Sequence, residues 1–88
     1  MKQAVFAIRA DGTVVPFKTI YEMPNDTVVI VRLRVSQLGG AIFYVYSLAR
    51  LNEPIARIHE SDGFRMHFRY PQPVLRGLLD LIEEYKRG

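Results

Sequence analysis

Residues 27–47 carry the pattern that most limits what this chain can become. Val29, Val31, Leu33 and Val35 alternate with Val28, Ile30, Arg32 and Arg34, and beyond Gln37-Leu38-Gly39-Gly40 the alternation resumes with Phe43 and Val45 against Ile42, Tyr44 and Tyr46. A period of two belongs to a strand, because successive side chains leave an extended backbone on opposite faces. Gln37-Leu38-Gly39-Gly40 reverses the direction of the chain, so the pair reads as a hairpin. A three-residue Leu38-Gly39-Gly40 loop would set Val35 opposite Phe43 and Leu33 opposite Val45. Behind them Arg34 would face Tyr44 and Arg32 would face Tyr46, with guanidinium planes over rings.

The alternation returns in residues 55–70, which read as a second hairpin closed by Ser61-Asp62-Gly63, with Gly63 in the left-handed position of a bulged turn. Ile58 would then lie opposite Met66, and Ala56 opposite Phe68. On the other face Arg57 would meet His67, His59 would meet Arg65, and Arg69 would follow. Pairing Tyr46 with Arg57 and Tyr44 with His59 joins this hairpin to the first with one consistent core face.

The flanks complete the architecture. Residues 4–9 read as a strand, Ala10-Asp11-Gly12 as a turn, and residues 13–17 as a strand whose Pro16, lacking an amide hydrogen, belongs at an edge. Residues 18–22 continue in extended form to a turn at Met23-Pro24-Asn25-Asp26. Pro71-Gln72-Pro73 ends the sheet, and Val74, Leu75, Leu78, Ile82 and Tyr85, flanked by Leu79 and Leu81, mark a helix with Pro73 in its first turn. The expected fold is α+β: a five- to six-stranded, mainly antiparallel β-meander with one C-terminal helix packed on one face. Residues 1–88 make a single domain, the sheet spanning residues 4–70 and the helix 73–87. A chain of this length buries about 60–65% of its unfolded surface and supports one modest core.

Charge and composition narrow the function. The net charge is +3, and the acids Asp11, Asp26, Glu53, Glu60 and Asp62 fall in or beside turns while arginines fall inside strands. Basic charge therefore gathers on the sheet, which favours RNA or another polyanion as partner. There is no cysteine, so disulfides, thiol catalysis and thiolate zinc sites are excluded. No apolar run is long enough to span a membrane, and no targeting segment is evident, so the expected location is cytoplasmic.

The helix-free face would present Arg32, Arg34, Tyr44, Tyr46, Arg57, Arg65 and Arg69 as a nucleic-acid-binding surface, arginines bridging phosphates and rings stacking on bases. His59 and His67 are the candidate catalytic acid and base of a metal-independent ribonuclease, since attack by a 2′-hydroxyl needs proton transfer and charge stabilisation but no cofactor. No metal site is expected, because Glu60 points to the other face and adjacent arginines repel a divalent cation. Ile30, Ile42, Leu48 and Ile55 form an apolar end of the same face, a candidate interface for a homodimer or another partner in a non-enzymatic module.

The stretch Arg57-Ile58-His59-Glu60-Ser61-Asp62-Gly63-Phe64-Arg65-Met66-His67-Phe68-Arg69-Tyr70, with the helix after it, resembles the TumE-like toxins of prokaryotic toxin–antitoxin pairs. The likeness covers about a third of the chain and implies an intracellular toxin neutralised by an antitoxin protein. His67 is the better match to that family's histidine-rich segment and His59 a looser one. The chain departs from the family in having isolated histidines, interleaved with Arg65, Phe68 and Arg69, where the family has several close together.

Overall fold

The alternating segments become strands of one antiparallel sheet. The computed structural model describes residues 2–88. Its strands are β1 (Lys2–Arg9), β2 (Val14–Pro16), β3 (Thr27–Val35), β4 (Ala41–Ser47) and β5 (Ala56–His59), in the spatial order β2-β1-β3-β4-β5, and the C-terminal helix α1 spans Gln72–Arg87. Every neighbouring pair is antiparallel. This is the expected α+β architecture with five strands, in which β3 returns to pair with β1, so the meander runs through β3, β4 and β5 while β2 forms the outer edge beyond β1. Pro16 does sit on an edge strand, where its missing amide costs no ladder bond.

One face of the sheet forms the core with α1. Ile8, Val29, Val31, Phe43, Val45 and Ile58 meet Val74, Leu78, Leu81 and Ile82 of the helix. Each of those helix side chains contributes about 1.5–3 kcal/mol through its burial. Leu79, expected to flank the stripe, is instead half exposed. The helix begins one residue earlier than its sequence signal, with Pro71 at the cap and Pro73 still in the first turn, where no intrahelical bond is lost.

The helix comes close to the β1–β2 turn through two glycines. Gly12 has a φ of +92°, and a Cβ there would strike the Pro73 carbonyl, while a Cβ on Gly77 would strike the Gly12 carbonyl oxygen and crowd the Ile8 side chain. Backbone therefore lies directly on backbone, which only glycine permits.

Four local expectations are corrected. Residues 18–22 are not simply extended: Ile20–Glu22 form a 3-10 turn, because the Glu22 carboxylate reaches back to accept the Lys18 and Thr19 amides at 3.2 and 3.0 Å. In the first hairpin, Leu33 pairs with Phe43, Arg32 with Tyr44 and Arg34 with Ile42, a two-residue slip from the expected register. The loop takes five residues, 36–40; both Gly39 and Gly40 have positive φ, and Ser36 closes it by donating its amide to the Gly40 carbonyl and its hydroxyl to that of Gly39. The β4–β5 register slips by two as well, giving Tyr44 opposite Arg57 and Ile42 opposite His59. A slip of two leaves every side chain on its expected face.

The fourth correction concerns the second hairpin, which does not form. β5 is an edge strand, and after it Glu60–Asp62 make a 3-10 turn. Gly63 is left-handed as expected, but Phe64 is too, at φ +59°, and the pair of left-handed residues turns the chain away from β5. The driving contacts are aromatic. The Phe64 ring packs edge-on against Phe43 and Tyr85, with centroids 5.9 and 6.0 Å away. The expected pairing would also have set Arg57 against His67 and His59 against Arg65, a row of basic side chains facing one another.

Candidate functional site

Strand alternation places Arg32 and Arg34 of β3, Ile42, Tyr44 and Tyr46 of β4, and Arg57 and His59 of β5 on the side of the sheet away from α1. One cross-strand row reads Arg32, Tyr44, Arg57, and the next reads Arg34, Ile42, His59. Arg57 and His59 stand about 7 Å apart along the same edge strand.

Arg32 is the centre of this face. Its guanidinium carbon lies 5.0 Å from the centroid of the Tyr44 ring and 5.7 Å from that of Tyr46, so two rings hold one cation. Its Nε is buried and has no hydrogen-bond partner. A buried donor without a partner is costly, and native structures keep few of them. The rings fix the orientation of the guanidinium, and a planar fork held in place is well suited to a phosphate or carboxylate.

The acids do not neutralise this surface, since their carboxylates are engaged elsewhere. Asp26 bonds Arg9 at 2.8 Å, and that hydrogen bond holds its carboxyl below the usual range. The Thr13 amide does the same for Asp11. Glu53 pairs with Arg50 at 3.0 Å, and Glu83 and Glu84 pair with Lys86 and Arg87 on the helix. Glu60 accepts the Ala41 amide at 2.8 Å and the Tyr85 hydroxyl at 3.4 Å, tying the 3-10 turn after β5 to both β4 and α1. Partial burial, together with that carboxylate, pushes the Tyr85 phenol up. These ties put Glu60 on the helix side, as its position in the alternation implies. Among the described residues no group of three His, Cys, Asp or Glu is placed to hold a metal ion.

The expected site residues divide into two groups. Arg32, Arg34, Tyr44, Tyr46, Arg57 and His59 share the helix-free face. Arg65, His67 and Arg69 lie instead on the unpaired segment 64–70, whose Phe64, Met66, Phe68 and Tyr70 pack on the core. His67 therefore has no ladder partner on β5, and the strand pairing that was to align it with Arg57 is absent.

The apolar end is also rearranged. Ile30 pairs with Tyr46 and is only 8% exposed, so it is filled in by its own chain. Ile42 sits between Arg34 and His59 in the basic row. Leu48 and Ile55 are 40% and 42% exposed beside the β4–β5 connection, where Leu51, at 53%, joins them. Sequence reasoning missed Leu51 because it lies outside any alternating run. It also missed the link from Glu60 to Ala41 and Tyr85, for which spacing gives no signal.

Two concavities flank the sheet, and the first borders this face through Val5, the cross-strand neighbour of Arg32. One is lined by Ala4, Val5, Pro16, Phe17, Lys18 and Glu22 along the β1–β2 edge, and another by Phe6, Val14, Pro16, Asp80, Leu81 and Glu84 between helix and sheet. Among the described residues no helix is long and apolar enough to cross a membrane. No protein-family model, curated protein or solved structure matches the chain.

Proposed function

We propose that this protein binds RNA or a related polyanion on its helix-free sheet face, with Arg32, Arg34 and Arg57 meeting phosphates and Tyr44 and Tyr46 framing the site. The observation that carries this reading is Arg32, a cation held over two tyrosine rings at the centre of the helix-free face. In ordinary cross-strand packing an arginine completes its donors with carboxylates or carbonyls. Here the neighbouring acids are committed to turns and to the helix, so an anion from outside is the complement that Arg32 and Arg57 call for. An open sheet bearing arginines and aromatic rings suits single strands, whose phosphates and unstacked bases are both accessible.

The role proposed is binding. Cleavage of the toxin type would need a second proton-transfer group beside the bound phosphodiester, and of the two histidines only His59 belongs to this face by strand register. The test compares two double variants in fluorescence anisotropy with a labelled single-stranded RNA. Arg32→Ala with Arg57→Ala should weaken binding at least about tenfold, as the loss of two charge-assisted contacts demands. Arg65→Ala with Arg69→Ala removes the same charge from the segment beyond β5 and should cost distinctly less. Equal losses would mean that net charge, and not this face, holds the RNA.

A further inference from the structure

Residues 64–70 have the side-chain pattern of a strand without its bonds. Phe64, Met66, Phe68 and Tyr70 are half-buried against the core, while Arg65, His67 and Arg69 are exposed, in strict alternation. Yet the sheet ends at β5, and the segment bends at Phe64 and again at Phe68. Among the described residues, the backbone amides of Met66, His67, Phe68, Arg69 and Tyr70 meet no acceptor in the protein, and that of Arg65 reaches only the Asp62 carboxylate, at 3.4 Å. A row of unpaired backbone donors and acceptors is a template for another strand.

We propose that residues 65–69 receive an extended segment of a partner protein in which acidic and apolar residues alternate, the bend at Phe68 straightening as the ladder forms. Backbone pairing would supply the attachment, as in other cases of strand addition, and the side chains would supply the selection. An incoming strand meets Arg65, His67 and Arg69 at every second position on its solvent face, and acids there form opposite-charge cross-strand pairs. Its intervening residues point the other way, toward the layer of Met66, Phe68 and Tyr70, and apolar ones extend that layer.

The same charges exclude the two nearest competitors. A second copy pairing about a two-fold axis at His67 would set Arg65 against Arg69 twice over, and like charges directly opposite destabilise a ladder. The chain's own β5 would offer Arg57 and His59, again basic, and Gly63 and Phe64 already turn the segment away from it. The edge thus rejects its own kind and matches an acidic strand.

The probe is a short labelled peptide alternating glutamate and valine. Its comparators are a peptide of identical composition with the glutamates in one block, and the alternating peptide N-methylated at every second amide on each edge in turn. The alternating peptide should bind about tenfold tighter than the block isomer and than one of the two methylated forms. Amide exchange should slow at alternate residues within 65–69 only when it is bound. Equal affinities for all the peptides would overturn the proposal, leaving charge attraction alone. Protection of these amides in the free protein would overturn it too, in favour of pairing within the chain or between copies. Arg65→Glu with Arg69→Glu, on a surface segment that tolerates charge, should transfer the preference to a lysine–valine peptide. Retained binding of the glutamate peptide by that folded variant would also contradict it.

Discussion

At Gly77 a single methyl group decides whether the helix can rest where it does. The Gly12 carbonyl oxygen and the Ile8 side chain occupy the space a Cβ would take, and neither backbone can yield without moving α1 off the β1–β2 turn. Gly77→Ala should therefore lower stability by about 1–3 kcal/mol through overpacking, despite alanine's better helix propensity. An unchanged urea midpoint would show that the two elements are less closely set. The sequence contained both glycines but no hint that they meet, because their contact joins a turn to a helix more than sixty residues later. Arg32 teaches the complementary lesson. Its face was legible from alternation, and its neighbour Tyr46 was named, but the direct partner is Tyr44, and the burial of Nε depends on packing that no spacing encodes.

At the scale of elements, side-chain faces were readable and registers were not. A two-residue slip in each of the β3–β4 and β4–β5 ladders costs nothing in face assignment, so the hydrophobic pattern is blind to it. The loop between β3 and β4 sets the first register, taking five residues with two consecutive left-handed glycines where a three-residue loop was expected. The segment after β5 failed differently: its alternation is real, but it reports packing against the core and not pairing with a neighbour. Phe64 holds that arrangement by joining Phe43 and Tyr85. Phe64→Ala should cost about 2 kcal/mol, below the 3–5 typical of a fully buried phenylalanine because the ring is only half covered. Phe64→Gly removes the same ring yet relieves the left-handed φ, so it should be less harmful than alanine by about 1 kcal/mol. Thermal or chemical denaturation orders the two variants, and the reverse order would remove Phe64's backbone from the account.

Across the whole molecule, charge is partitioned by structure. Carboxylates brace the turns and helix ends, arginines occupy strand positions, and one sheet face is left basic with its central cation held between rings. The fold class was legible because one long amphipathic helix and several period-two segments admit few alternatives. The candidate surface was half legible: strand alternation places Arg32, Arg34, Tyr44, Tyr46, Arg57 and His59 on the helix-free face, as the structure does, while Arg65, His67 and Arg69 belong to a segment whose unpaired state only three dimensions reveal. The claim that this face holds a nucleic-acid strand is tested most directly by the salt dependence of its affinity. With three arginines on single-stranded phosphates, the logarithm of the association constant should fall against the logarithm of salt concentration with a slope of about −2, and Arg32→Ala should make that slope shallower by about 0.7. A wild-type slope near zero, or an Arg32→Ala titration that superimposes on the wild type at every salt concentration, would contradict it.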